Sequence, residues 1–129
     1  MIVLMLAAAS LPCGKAPSNL DAKVCYGQLA EQTDRQMAAQ WKITLKKLRA
    51  EDVDNRRERL NKPSMADGLL DSQRAWLQYR KAQCNMISDQ AAGGTGYSEL
   101  GARCEIAFNL QRTAELKRRA DGFLKPSFE

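Results

Sequence analysis

Apolar side chains return at steps of three and four between Asp21 and Leu60. Leu29, Thr33, Met37, Trp41, Leu45 and Leu48 fall on one stripe, and Glu31, Arg35, Lys42, Lys46 and Arg49 lie mostly off it. Positions so spaced share one face of a helix with 3.6 residues per turn, so the segment is predicted to be one long amphipathic helix. Past Leu48 the stripe thins into Glu51, Asp52, Asp54, Arg56, Arg57, Glu58 and Arg59. That run reads as a solvated helix end in which Asp52 and Arg56 pair at a spacing of four.

Asn61, Lys62 and Pro63 break the pattern, and Ser64 with Asp67 three residues later resembles a helix-capping arrangement. The second predicted helix carries its stripe on Leu69, Gln73, Trp76, Leu77, Arg80, Cys84 and Ile87. Gly93, Gly94 and Gly96 then turn the chain, because glycine reaches positive φ without steric cost. A third helix is predicted from about Ser98 to Ala120. Leu100, Cys104, Ala107, Phe108 and Gln111 are expected on its inward line, with Leu110, Ala114 and Lys117 beside them. Gly122 and Pro126 end it. Short connections make neighbouring helices antiparallel, so the expected fold is all-α, a small antiparallel bundle of about three helices.

Composition agrees with one helical domain. The chain has 129 residues, of which 44% are apolar, enough for one modest core. The β-branched residues are scarce and only 6% of residues are aromatic, which disfavours a sheet. Residues 1–12 read as a signal peptide or N-terminal apolar segment, 13–124 as the helical domain and 125–129 as a flexible tail. The apolar run Met1–Ala9 has the length of a signal-peptide core and is too short to span a membrane. Ala7 and Ala9 offer a cleavage pattern that would start the mature chain near Ser10. The chain is therefore expected to be exported, periplasmic or secreted, without a membrane span. Pro12 before Cys13 argues against a lipid anchor there, since lipidation needs a small residue just before the cysteine.

Four cysteines, Cys13, Cys25, Cys84 and Cys104, suit a disulfide framework in such a compartment. Three pairings are open from sequence alone. Cys84 and Cys104 each lie ten residues from Gly94, so a hairpin folded there sets them at matching heights. That favours Cys84 with Cys104, and leaves Cys13 with Cys25 to tie the N-terminal extension to the first helix.

The absence of histidine removes Ser-His and Cys-His triads and histidine metal sites. No two cysteines stand at C-x-x-C spacing, so no metal is expected. Gly93-Gly94-Thr95-Gly96 lacks the lysine and the strand-helix context of a phosphate cradle. The acidic residues Asp52, Asp54 and Glu58 sit among arginines on a helix expected to be exposed, with no cleft for glycosidase chemistry. The reading is a protein with no catalytic residues, no cofactor and no small-molecule substrate. A net charge of +5 keeps a small protein soluble, and nucleic acid is not the expected partner of Lys46, Lys47 and Arg49.

The run Gln73-Arg74-Ala75-Trp76-Leu77-Gln78-Tyr79-Arg80-Lys81-Ala82-Gln83-Cys84, then Gly93-Gly94-Thr95, then Cys104, then Arg112-Thr113-Ala114-Glu115-Leu116 resembles the LprI-type lysozyme inhibitor family. The resemblance covers about residues 60 to 120 well. It implies a small exported helical protein that binds a protein partner of the cell envelope, a lysozyme-like muramidase. The alternative class is a structural or assembly factor of the envelope that uses its helices for protein-protein contact. Strongly basic lysozymes would be repelled at long range by a +5 chain, so attraction would have to be local. Gln73, Trp76, Tyr79 and Arg80 are expected to be structural, with Trp76 in the core and Arg80 paired to Glu105 or Glu115. The loop with Gly94, Thr95 and an exposed Tyr97 is the expected partner-binding surface, because scaffolds tend to present function on loops.

Overall fold

The computed structural model describes residues 11–126. The expected cleavage site, residues 1–10 and the last three residues of the expected tail lie outside the described residues. Four helices follow one another: α1 (Leu11–Gly14), α2 (Asn19–Arg57), α3 (Met65–Asp89) and α4 (Tyr97–Asp121). The three long ones form the antiparallel bundle. α1 is a single turn tethered to α2 by the Cys13–Cys25 disulfide, with Cα atoms 5.5 Å apart.

Helix ends follow local chemistry. Ser18 caps α2 by accepting the Asp21 N–H at 3.1 Å. At its other end Leu60 N–H reaches Asn55 O at 2.8 Å while Arg59 takes a positive φ of 55°, a left-handed closure that usually calls for glycine. Ser64 caps α3 through the Asp67 N–H, as its spacing predicted. Gly93 turns the α3–α4 loop with φ 80°, where a side chain would be strained.

α2 packs chiefly along α4, and α3 lies against both but touches α2 least. The apolar core joins Met37, Leu45 and Leu48 of α2 to Ala66 and Leu69 of α3 and Leu116 of α4, with Trp41, Met65, Leu70 and Trp76 packed around it. This cluster fills the half of the bundle near the α2–α3 loop. At that end Arg119 holds both carboxylate oxygens of Glu51, at 3.0 and 3.1 Å, and the buried Thr44 hydroxyl donates to Leu116 O at 2.9 Å. The opposite half is closed by the Cys84–Cys104 disulfide, with Cα atoms 5.5 Å apart, as the symmetry about Gly94 predicted.

Two expectations fail. The inward face of α4 is Cys104, Ile106, Asn109, Arg112 and Leu116, while Ala107, Leu110 and Gln111 are exposed. Apolar residues are scattered around this helix, so hydrophobic period alone does not select its buried face. Asp52 is not part of a solvated end but is buried. It accepts the backbone N–H groups of Met65 and Ala66 at 2.7 and 3.0 Å and the Ser64 hydroxyl at 2.8 Å, so α2 itself caps α3. Burial alone would raise the Asp52 pKa. The hydrogen bonds from Ala66, Met65 and Ser64, with the positive charge of Arg56, outweigh it and hold the carboxyl below its ordinary range.

Candidate functional site

Because α3 touches α2 least, a cleft opens between them over a floor provided by α4. Arg80 of α3 and Asp34 of α2 bridge it. The Arg80 Nη1 donates to Asp34 Oδ1 at 2.7 Å and to Asn109 Oδ1 at 2.6 Å. On one side of the bridge lies a polar basin of about 470 Å³, walled by Glu31 and Asp34 from α2, Ser88 from α3, and Tyr97, Gly101 and Glu105 from α4. On the other lies a mainly apolar basin of about 390 Å³ lined by Met37, Ala38, Trp41, Leu70 and Leu77. Both border Asp34 and Arg80, so they are two ends of one groove.

The floor is polar and satisfied. Asn109 is fully buried and donates through Nδ2 to Ala30 O at 3.3 Å and Thr33 Oγ1 at 3.1 Å, while its Oδ1 takes the Arg80 bond. The Thr33 hydroxyl in turn donates to Leu29 O at 2.9 Å. Arg112, also buried, donates to Gln73 Oε1 at 2.9 Å, Ser72 Oγ at 2.9 Å and Glu115 Oε2 at 3.1 Å. Gln73 turns its amide N–H onto the Met37 sulfur at 3.1 Å. Trp76 lies between the two arginines, 5.1 Å from the Arg80 guanidinium carbon and 5.8 Å from that of Arg112. Both cations thus face an aromatic surface that favours positive charge.

The residues singled out in the sequence do not all converge. Gln73, Trp76 and Arg80 form this network, but Tyr79 is on the solvent side of α3, 58% exposed, with its ring edge against Phe108 at 5.5 Å. Arg80 pairs with Asp34 and Asn109 rather than with Glu105 or Glu115. Glu115 belongs to Arg112 and Glu105 lines the polar basin without an ion pair among those found. Gly94 and Thr95 are exposed in the α3–α4 turn, and Tyr97, 43% exposed, begins α4 at the rim of the polar basin. Asp34 and Asn109 escaped sequence reasoning because a polar residue on a helix signals nothing until its partner arrives from another helix. One signal existed for Arg112 and Glu115, which stand at a pairing distance of three residues.

Buried Gln73, Asn109 and Arg112 are committed to protein partners, and among the described residues no group of three His, Cys, Asp or Glu is placed to hold a metal ion. Among the same residues no helix is long and apolar enough to cross a membrane. The cleft is a groove with one polar and one mainly apolar end.

Comparison with known proteins adds two findings. A family profile for the lysozyme inhibitor LprI matches residues 13–116, the span from the first cysteine to the last core leucine. An uncharacterized protein of Rhizobium meliloti strain 1021 is 29% identical over 105 residues, covering 81% of this chain and 76% of that protein. No solved structure gives a significant match.

Proposed function

The chain belongs to the LprI lysozyme inhibitor family, and we propose that it is an exported binding protein of the cell envelope that inhibits a lysozyme-like muramidase by covering its substrate cleft. The family match carries this reading, and two structural features support it. The four cysteines are all joined in disulfides, which suits an oxidising compartment. The bundle holds its polar network rigidly below an open groove, which suits recognition of a protein surface rather than turnover of a substrate.

The α3–α4 turn with Gly94 and Thr95, together with Tyr97 at the groove rim, is the contact edge in this reading. An exposed aromatic at the start of α4 offers contact area with only two side-chain torsions to order. The apolar N-terminal run serves as the export signal.

The test is a lytic assay with oxidised mature protein against several lysozyme types. Inhibition is expected at micromolar protein, and it is expected to weaken when Tyr97 is replaced by alanine. Unchanged lysis of every lysozyme tried at that concentration removes the muramidase reading, and the alternative of an envelope assembly factor then takes its place.

A further inference from the structure

The net charge of +5 is not spread evenly over the bundle. Residues 42–71 and 112–125, at the end that holds the apolar core, carry thirteen Lys and Arg against eight Asp and Glu. Residues 15–41 and 72–111, at the end closed by Cys84–Cys104, carry seven Lys and Arg against six Asp and Glu, Arg74 among them at the edge of the apolar basin. Inside that near-neutral end the polar basin is lined by Glu31, Asp34 and Glu105 and by one cation, Arg80, while Arg35 pairs with Glu31 at 4.0 Å from outside the basin. Arg80 is already engaged by Asp34 and Asn109. The repulsion expected of a basic chain is therefore concentrated away from the cleft, and the basin itself presents a local negative field.

Two further observations point to an occupant. Ser88 is only 6% exposed, lines the same basin, and its hydroxyl makes no side-chain hydrogen bond among the described residues. In the adjoining basin Trp41 has a buried Nε1 with no acceptor, beside the apolar surfaces of Met37, Leu70 and Leu77.

We propose that the α2–α3 cleft extends the partner-binding surface inward from the Tyr97 rim and takes a loop of a basic protein, with a lysine or arginine side chain in the polar basin and an apolar neighbour in the Trp41 basin. The proposal rests on the binding function argued above and specifies its site. The cationic head donates to Glu31, Glu105 and Ser88 Oγ, and the apolar neighbour packs against Met37, Trp41 and Leu77. An anionic ligand would meet three carboxylates and be rejected. The groove runs along α2 from Gly27 to Trp41, about 20 Å at 1.5 Å per residue, which is longer than any single side chain and suits a segment presenting two.

The experiment uses the full oxidised chain with two probes, a basic c-type lysozyme and a blocked Leu-Arg-Leu-Lys peptide amide followed by amide chemical shifts. Glu31→Gln with Glu105→Gln removes charge from the basin without touching the Asp34–Arg80 bridge. Asp54→Asn with Glu58→Gln makes the same charge change at the distant end. The expected result is lysozyme affinity lowered at least about tenfold by the basin pair and less than about twofold by the distant pair. Peptide shifts are expected at Ala30, Ser88 and Gly101, and are lost in the basin pair. Equal lysozyme affinity for all three proteins, with peptide shifts outside the cleft, overturns the cleft proposal and leaves lysozyme binding standing. Cleft shifts with the peptide but no binding to any lysozyme support the cleft and remove lysozyme as its partner. Binding of neither probe overturns both.

Discussion

The guanidinium of Arg80 and the side-chain amide of Asn109 meet at 2.6 Å in the middle of the bundle, where α3 crosses the floor laid by α4. The same Arg80 nitrogen reaches Asp34 of α2 at 2.7 Å, so three helices are joined at one donor. The apolar cluster lies on the α2–α3 loop side of this junction, and the cleft and the Cys84–Cys104 disulfide lie beyond it. The half of the bundle that contains the cleft is thus held by polar contacts and sulfur rather than by large apolar side chains.

Replacing Asn109 by leucine is expected to cost about 2–4 kcal/mol, because it leaves the Arg80 charge short of an acceptor in a buried setting. Asp34→Asn is expected to cost less than about 1 kcal/mol, since the Asp34 side chain is half exposed and solvent screens the pair. Urea unfolding of both variants measures the difference. Equal losses for the two would show that the junction is not organised around Asn109.

Asp52 predicts a pH signature. Its folded pKa is lowered, so its stabilising contribution is complete above the ordinary carboxylate value near 4 and is lost as pH falls through the lowered folded value. Asp52→Ala is expected to cost about 1–3 kcal/mol at pH 7, from loss of the cap on α3. The gap between wild type and variant should stay level from pH 5 to 8 and close in more acid solution. Stability curves that run parallel down to about pH 2 would contradict a charged cap.

The two disulfides are expected to differ in weight. Each closes a short loop, of 12 and 20 residues, for which chain entropy alone gives about 3 kcal/mol. Cys13–Cys25 ties down only α1, outside the packing of the three long helices, so a Cys13→Ser, Cys25→Ser variant should fray residues before about 24 and shift global unfolding little. Cys84→Ser with Cys104→Ser should lower global stability by about 2–4 kcal/mol and loosen the cleft wall. Hydrogen exchange resolves the two patterns. Identical melting of the second variant and the wild type would rule out the crosslink as a fastener of the bundle.

Close approach beside that crosslink gives a further test. A Cβ at Gly101 would lie 2.5 Å from the Ser88 hydroxyl oxygen but 3.8 Å from its Cβ. Gly101→Ala should therefore cost about 1–3 kcal/mol by forcing α3 and α4 apart, and Ser88→Ala in the same chain should restore most of it. Gly68→Ala, where a Cβ meets nothing within 4 Å, is expected instead to stabilise α3 by up to about 1 kcal/mol. Thermal unfolding of the wild type, Gly101→Ala, Ser88→Ala and the double variant completes the cycle, and a loss at Gly101 that Ser88→Ala leaves untouched would place the strain elsewhere.

Helix positions were readable along the chain because they depend on neighbours three and four residues away. The stripe through Met37, Trp41, Leu45 and Leu48, the Ser64 cap and the Gly93 turn each specify local structure with little help from the rest. The Cys84–Cys104 pair was readable for a related reason: once two helices are antiparallel about Gly94, equal spacing sets equal height. What only the tertiary structure decided is which polar residues are buried and with whom. Asp34, Asp52, Asn109 and Ser88 look like ordinary surface residues in sequence, because a polar side chain is as compatible with water as with a partner 12 to 79 residues away. Helix packing makes that choice, and the cleft follows from it: α3 leans on α4 through Gly101 and the disulfide, and the space it leaves beside α2 has no sequence signature.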